Sequence, residues 1–258
     1  MSIGLRSETE PSGSSRLAVG VWLRAQLNRF IAAVCLSGLL PVIVVAERLR
    51  AGSGALMVQK GVRRVTRICG LRFEVTGSNR LQPGTAYVLV PNHASPLDIP
   101  AILVGCGGVR FVAAAELFKI PLLGGAMRAL GTIPLERRKP AVARRQLAEV
   151  AEGGTAVSLA IFPEGGIAPA GERLPFKSGA FSLAIQAGLP IVPVAIHGSD
   201  VVLPPRSHLA VRPGTVTVEL LPPVETAGLN QDDRRALRDR VEREVRAALA
   251  RGPLPDCA

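Results

Sequence analysis

Two hydrophobic patterns divide this chain. From Phe30 to Ala46 the sequence FIAAVCLSGLLPVIVVA is nearly unbroken in its apolar character. From Arg72 onward, apolar residues come in short β-rich runs: Phe73–Thr76, Tyr87–Val90, Arg110–Val112, Gly131–Leu135, Val157–Phe162, Ile191–Ile196 and Val216–Leu220. Helix-compatible stretches fall between several of them, at Ile120–Ala129, Ala141–Ala151 and Gly179–Ala187. Strands alternating with helices predict an α/β domain, its mostly parallel sheet flanked by helices. Asp232–Ala250 reads as a final helix. Its thin apolar stripe (Leu237, Val241, Val245, Leu249) predicts packing on the domain, and its mixed charges predict a solvated outer side.

The first pattern predicts a membrane-associating segment. As a helix, Phe30–Ala46 would be roughly 25 Å long, at the short end for crossing a bilayer, and Pro41 would kink it. Arg24 and Arg29 precede it; Arg48, Arg50, Lys60, Arg63, Arg64 and Arg67 follow. Basic residues on both sides suit a segment that dips into one leaflet with its flanks on anionic headgroups. A single span is the near alternative. A buried core helix and a long signal peptide are the plainer ones, the latter disfavoured by its late position and the basic residues after Ala46. The expected organisation is a flexible tail over 1–20, a membrane-associating helical segment over 21–70, and the α/β domain with its charged C-terminal helix over 71–258.

Composition narrows the partners. A net charge of +11, from 31 Lys+Arg against 20 Asp+Glu, calls for something anionic. At 3% aromatic the chain is poor in stacking platforms, which counts weakly against single-stranded nucleic acid; nucleic-acid binding rests on charge alone and is not the expected partnership. The four Cys (Cys35, Cys69, Cys106, Cys257) have no paired spacing, which argues against a disulfide framework or a zinc site and suits a reducing, cytosol-facing environment.

Candidate chemistry sits in Tyr87 to Asp98, YVLVPNHASPLD. A hydrophobic strand runs into a Pro-Asn turn, and His93 follows where strand ends of α/β domains carry exposed, well-positioned groups. Asp98, five residues on at the expected start of a helix, can fold back onto the imidazole and fix its orientation. The other ring nitrogen is then free to take a proton from a hydroxyl. No Ser or Cys is evidently placed as nucleophile, so direct attack by a substrate hydroxyl is the economical mechanism. The pair alone is a weak signal, since a capping Asp beside an incidental His has the same spacing. His197 and His208 read as incidental.

Further blocks make the signal specific. Asn92-His93-Ala94-Ser95-Pro96-Leu97-Asp98 resembles the NHx4D signature of the glycerophospholipid acyltransferases, in particular the 1-acyl-sn-glycerol-3-phosphate acyltransferase family. In that family's order follow Gly131-Thr132-Ile133-Pro134-Leu135-Glu136-Arg137, then Ile161-Phe162-Pro163-Glu164-Gly165, then Leu189-Pro190-Ile191-Val192-Pro193-Val194. Leu174 to Phe181, LPFKSGAF, is similar to the family's FKxGAF-like stretch. The likeness covers roughly Arg72 to Pro223.

The resemblance implies a glycerolipid-acyltransferase-like domain. It moves a fatty acyl group from acyl-CoA or acyl-carrier protein to the hydroxyl of a lysophospholipid, with no cofactor. The first expectation for the acceptor is 1-acyl-sn-glycerol-3-phosphate, giving phosphatidic acid. It also implies His93 as general base, Asp98 as its partner, Arg137 as a phosphate ligand, and Glu164 as an acceptor-binding or architectural acid. Backbone N–H groups at Gly165-Gly166 are candidates for an oxyanion, and Lys177 either reaches a phosphate or snorkels at the surface. An anionic membrane surface, on the cytoplasmic face of the cell membrane, is the expected location.

One departure bears on the acceptor. The family's third block usually continues FPEGTRS, whereas this chain reads Phe162-Pro163-Glu164-Gly165-Gly166-Ile167-Ala168, without the Arg. Either Arg173 or Lys177 compensates, or the acceptor is another lysolipid such as a lyso-ornithine lipid. A catalytically silent lipid-binding protein on the same fold is the alternative from a different class.

Overall fold

The computed structural model describes residues 54–120, 123–135, 157–169, 171–205 and 211–254. The apolar segment Phe30–Ala46, Arg137, the helix expected over Ala141–Ala151 and His208 lie outside them. In chain order the elements are α1 (Gly54–Ile68), β1 (Leu71–Thr76), β2 (Val88–Pro91), α2 (Asp98–Cys106), β3 (Val109–Ala114), α3 (Leu123–Ala129), β4 (Ile133–Leu135), β5 (Ser158–Ala160), α4 (Gly179–Ala187), β6 (Ile191–His197), α5 (Ser199–Val202), β7 (Gly214–Leu220) and α6 (Arg234–Arg251). Each of the seven β-rich runs contributes a strand.

The strands form one sheet in the order β1-β7-β6-β2-β5-β3-β4. The five from β6 to β4 run parallel. β7 pairs antiparallel with β6, and β1 runs parallel with β7. Helices cover both faces, as buried parallel strands require. Along β2 the side chains alternate: Val88 and Val90 enter the core under α4 and α6, while Tyr87 and Leu89 enter the core under α1 and α2. β6 repeats the pattern, with Ile191 and Ala195 on the first face and Val192, Val194 and Ile196 on the second. No helix among the described residues is long and apolar enough to cross a membrane.

The last helix corrects one expectation. Leu237, Val241 and Val245 of the stripe are buried, and Leu249 packs against the same core. The charged side is not simply solvated. Glu242 accepts the Phe176 N–H at 3.3 Å, and Arg246 donates to Leu174 O at 3.3 Å while also bonding Glu242. Arg251 reaches the buried Glu219 of β7. Backbone groups in the 174–176 loop, which has no secondary-structure partners, are satisfied by these side chains. Such long-range pairing is invisible to a helical-wheel reading.

A single turn glycine shows how tightly β1 is stopped. Gly77 has φ of +78°, and a Cβ there would stand 2.1 Å from Leu220 O on β7. The packing core on the other face depends on Phe181 of α4, which is fully buried. Phe181→Ala should destabilise the protein by about 3–5 kcal/mol, from lost transfer energy and the cavity left behind. Denaturant unfolding will check it through a lower midpoint at unchanged slope.

Candidate active site

β2 and β6 are parallel neighbours, so their C-terminal ends open on the same edge of the sheet. Just past that edge, Asn92 prolongs the ladder with its side chain. Its Nδ2 donates to Ile196 O at 3.2 Å, and Ile196 N–H donates to its Oδ1 at 2.7 Å. This two-way bond fixes where the chain leaves the sheet, one residue before His93.

Asp98, the first residue of α2, is fully buried. Three donors converge on its Oδ2: His93 Nδ1 at 2.9 Å, Ala94 N–H at 2.8 Å and Ser95 N–H at 2.9 Å. The helix N-terminus adds a favourable field for the carboxylate. Oδ1 has no hydrogen-bond partner among the described residues. The short turn of the NHx4D stretch therefore does fold the carboxylate back onto the imidazole. With Nδ1 committed to Asp98, Nε2 is the ring nitrogen left for other chemistry.

Other contacts hold the imidazole in place. The ring stacks on Phe162, with centroids 4.0 Å apart and planes 26° apart. His93 N–H donates to Glu164 Oε1 at 3.0 Å, and His93 O accepts from Ala168 N–H at 3.2 Å. Glu164 Oε2 meanwhile accepts the Leu174 N–H at 3.3 Å. Both carboxylate oxygens of Glu164 are thus spent on backbone groups. Burial pushes its carboxyl above the usual range, and the two N–H donors pull the other way.

Two candidate nucleophiles, Ser95 before α2 and Cys106 at its far end, are unsuited to attack. Ser95 is fully buried; its Oγ donates to Leu203 O at 2.8 Å and accepts the Leu97 N–H at 3.2 Å. Its proton is directed away from His93. Burial pushes the Cys106 thiol up to about 12, so it is no thiolate at neutral pH.

His93 lines a cavity of about 330 Å³ together with Asn92, Glu164, Arg173, His197 and the segment around Gly252. Of the residues singled out from sequence, the fold brings His93, Asp98 and Glu164 together. Gly165 and Lys177 lie beside one another, outside the residues that line this cavity: Gly165 has φ of +74°, and a Cβ there would stand 2.6 Å from Lys177 Nζ. The Gly165 N–H already closes a turn onto Phe162 O at 3.2 Å, which leaves Gly166 the better oxyanion candidate of the two. Arg137 is outside the described residues.

Two wall residues, Arg173 and His197, stand out only in the fold. From the sequence Arg173 reads as a compensating charge and His197 as incidental. His197 ends β6 as His93 follows β2, and the parallel register carries both to one sheet edge. The signal available in the sequence was a polar residue closing an otherwise apolar strand before a glycine.

A histidine–carboxylate pair in an open cavity, at the C-terminal ends of a parallel sheet, defines the class: an α/β protein built for proton transfer to or from a bound group. Comparison with known proteins specifies it. The Acyltransferase family model matches residues 72–197. The chain is 34% identical over 210 residues to human 1-acyl-sn-glycerol-3-phosphate acyltransferase alpha, covering 80% of this chain and 74% of that protein. It is 35% identical over 179 residues to the mouse alpha protein, covering 68% of this chain and 63% of the relative. Among solved structures, the 1-acyl-sn-glycerophosphate (LPA) acyltransferase of Thermotoga maritima superposes with a TM-score of 0.69 at 26% identity. That match covers 90% of this chain and 97% of the other. The chain belongs to the 1-acyl-sn-glycerol-3-phosphate acyltransferase family and is an O-acyltransferase.

His197 also leaves a mark on stability. Burial, followed by the nearby Arg251 and Arg173 charges, holds its imidazole below the ordinary value of 6.5, although the Glu219 contact pulls upward. The native state then favours the neutral ring, while the unfolded chain takes up a proton near pH 6.5. The contribution is present above that pH and is lost as pH falls below it. Wild type should therefore lose stability relative to His197→Gln between pH 7.5 and 5.5 in urea unfolding. A pH-independent difference would count against the assignment.

Proposed function

We propose that this enzyme acylates the free hydroxyl of 1-acyl-sn-glycerol-3-phosphate, giving phosphatidic acid, with acyl-CoA or acyl-carrier protein as donor. The observation that carries the reading is His93, oriented by a buried Asp98 and facing a cavity on the sheet edge. His93 Nε2 takes the proton of the acceptor hydroxyl as its oxygen attacks the thioester carbonyl. The C–S bond breaks as the ester forms, and the thiolate leaves and picks up a proton. Ser95 and Cys106 are unsuited as nucleophiles, which favours direct transfer over an acyl-enzyme.

In this reading Asp98 fixes the tautomer of His93, and Glu164 is architectural. It clamps the His93 backbone to the 174 loop, one oxygen on each side. Arg137 grips the phosphate bidentately. Gly166, rather than Gly165, offers its N–H to the oxyanion, and Lys177, beside Gly165, adds positive charge outside the cavity lining. The second reading, another lysolipid acceptor, rests on one observation: Gly166-Ile167 stands where the family pattern has Thr-Arg.

The membrane side of the proposal rests on charge and hydropathy. Residues 21–70 anchor the enzyme on anionic headgroups at the cytoplasmic face, while 1–20 form a tail and 71–258 the catalytic domain. Its described part, α1, carries Lys60, Arg63, Arg64 and Arg67, and these four are solvent-facing. The lipid acceptor enters from the bilayer and the soluble thioester from the other side.

Two substitutions test the assignment. His93→Ala should lower kcat by about 10²–10⁴-fold in an acyl-CoA-dependent assay, and equal turnover would remove the mechanism. Arg137→Ala should cut kcat/KM for lysophosphatidic acid by about ten- to hundredfold, the loss of one charge-assisted phosphate contact. An unchanged value would sink its phosphate role.

A further inference from the structure

The cavity wall beside His93 holds a second imidazole in a built setting. Glu219 of β7 is fully buried, and a carboxylate there needs partners. It has two. Arg251, at the end of α6, donates from Nη2 to Oε1 at 2.9 Å, and His197 Nε2 lies 3.2 Å from Oε2. Between an ionised Glu219 and the ring, Nε2 carries the hydrogen and donates. That leaves Nδ1, which has no hydrogen-bond partner among the described residues. His197 and Arg173 line the same cavity as His93. The Glu219–Arg251 pair thus fixes the ring at one nitrogen and leaves the other for a ligand.

We propose that His197 is a specificity-determining residue of the acyl-transfer site, binding the phosphomonoester headgroup of the acceptor through Nδ1 with Arg173 beside it. The inference rests on the acceptor reading given above. A phosphate oxygen needs donors, so the ring holds a proton at each nitrogen when the headgroup is bound, Nε2–H to Glu219 and Nδ1–H to phosphate. That proton comes from solvent when the phosphate arrives as dianion, and from the phosphate itself when it arrives as monoanion. The charged groups around His197 are Glu219 from β7, Arg251 from α6 and Arg173 from the loop before α4. Three acids line the cavity: Glu164 accepts two backbone N–H groups, Asp200 Oδ1 takes the Val201 N–H, and Glu172 is exposed. None of the three bonds Nδ1.

The test compares wild type, His197→Gln and His197→Asn as full chains, with oleoyl-CoA and 1-oleoyl-glycerol 3-phosphate. The Gln amide can reach Glu219 as Nε2 does but has no atom at Nδ1; Asn does the reverse. His197→Gln should raise KM for the acceptor by about ten- to hundredfold with kcat and the donor KM little changed. His197→Asn should recover a substantial part of that loss despite its lower melting temperature. A Gln variant within about twofold of wild-type KM overturns the proposal. So does a pair of variants whose activities simply follow their melting temperatures, which marks a structural role. Wild type inactive on this acceptor overturns the acceptor reading and this inference together. An active wild type with unchanged KM in His197→Gln overturns the inference alone.

Discussion

A carboxylate taken wholly out of water survives only where donors surround it. Asp98 meets that condition by pulling His93 Nδ1 and two successive N–H groups onto one oxygen. The loop between β2 and α2 has little freedom left once these three bonds form. The imidazole is then held from one side by the carboxylate and from the face by Phe162. The orientation of His93 Nε2 is thus set by an electrostatic constraint, and the rest of the site is arranged about it.

That constraint works because the sheet delivers its parts to one place. β2, β5 and β6 are parallel and adjacent, so the segments that follow them emerge at one edge. His93 follows β2, Glu164 follows β5 and His197 closes β6. Glu164 and Asn92 then act as struts, each spending side-chain oxygens on backbone N–H groups across the gap. The C-terminal helix adds a third support through Glu242, Arg246 and Arg251. Rigid backbone around an accessible ring nitrogen is the arrangement that proton transfer at a positioned hydroxyl requires.

Much of this was legible in the letters. Short β-rich apolar runs located all seven strands, because strands buried against helices are apolar along most of their length. The spacing from His93 to Asp98 anticipated a real contact, because a short turn leading into a helix N-terminus leaves the carboxylate few other places to go. Glu164 was legible only as one of two roles. The fold adds what the letters could not show, that each of its two oxygens accepts a backbone N–H.

The settings of His197 and of the charged side of the last helix are hidden from local pattern for one reason. Their partners are distant in sequence: Glu219 is 22 residues from His197, and Arg246 is 72 from Leu174. Local pattern determines which residues are buried and which elements form, since hydrophobic period and turn chemistry act over a few residues. Which strand ends meet, and which buried charge is satisfied by which distant side chain, is decided only when the sheet order closes. The sequence alone therefore determined an α/β acyltransferase-like domain with His93 and Asp98 in contact. The tertiary structure alone decided that His197, Arg173 and the end of the last helix share their cavity, because parallel pairing of β2 with β6 brings those segments to one edge.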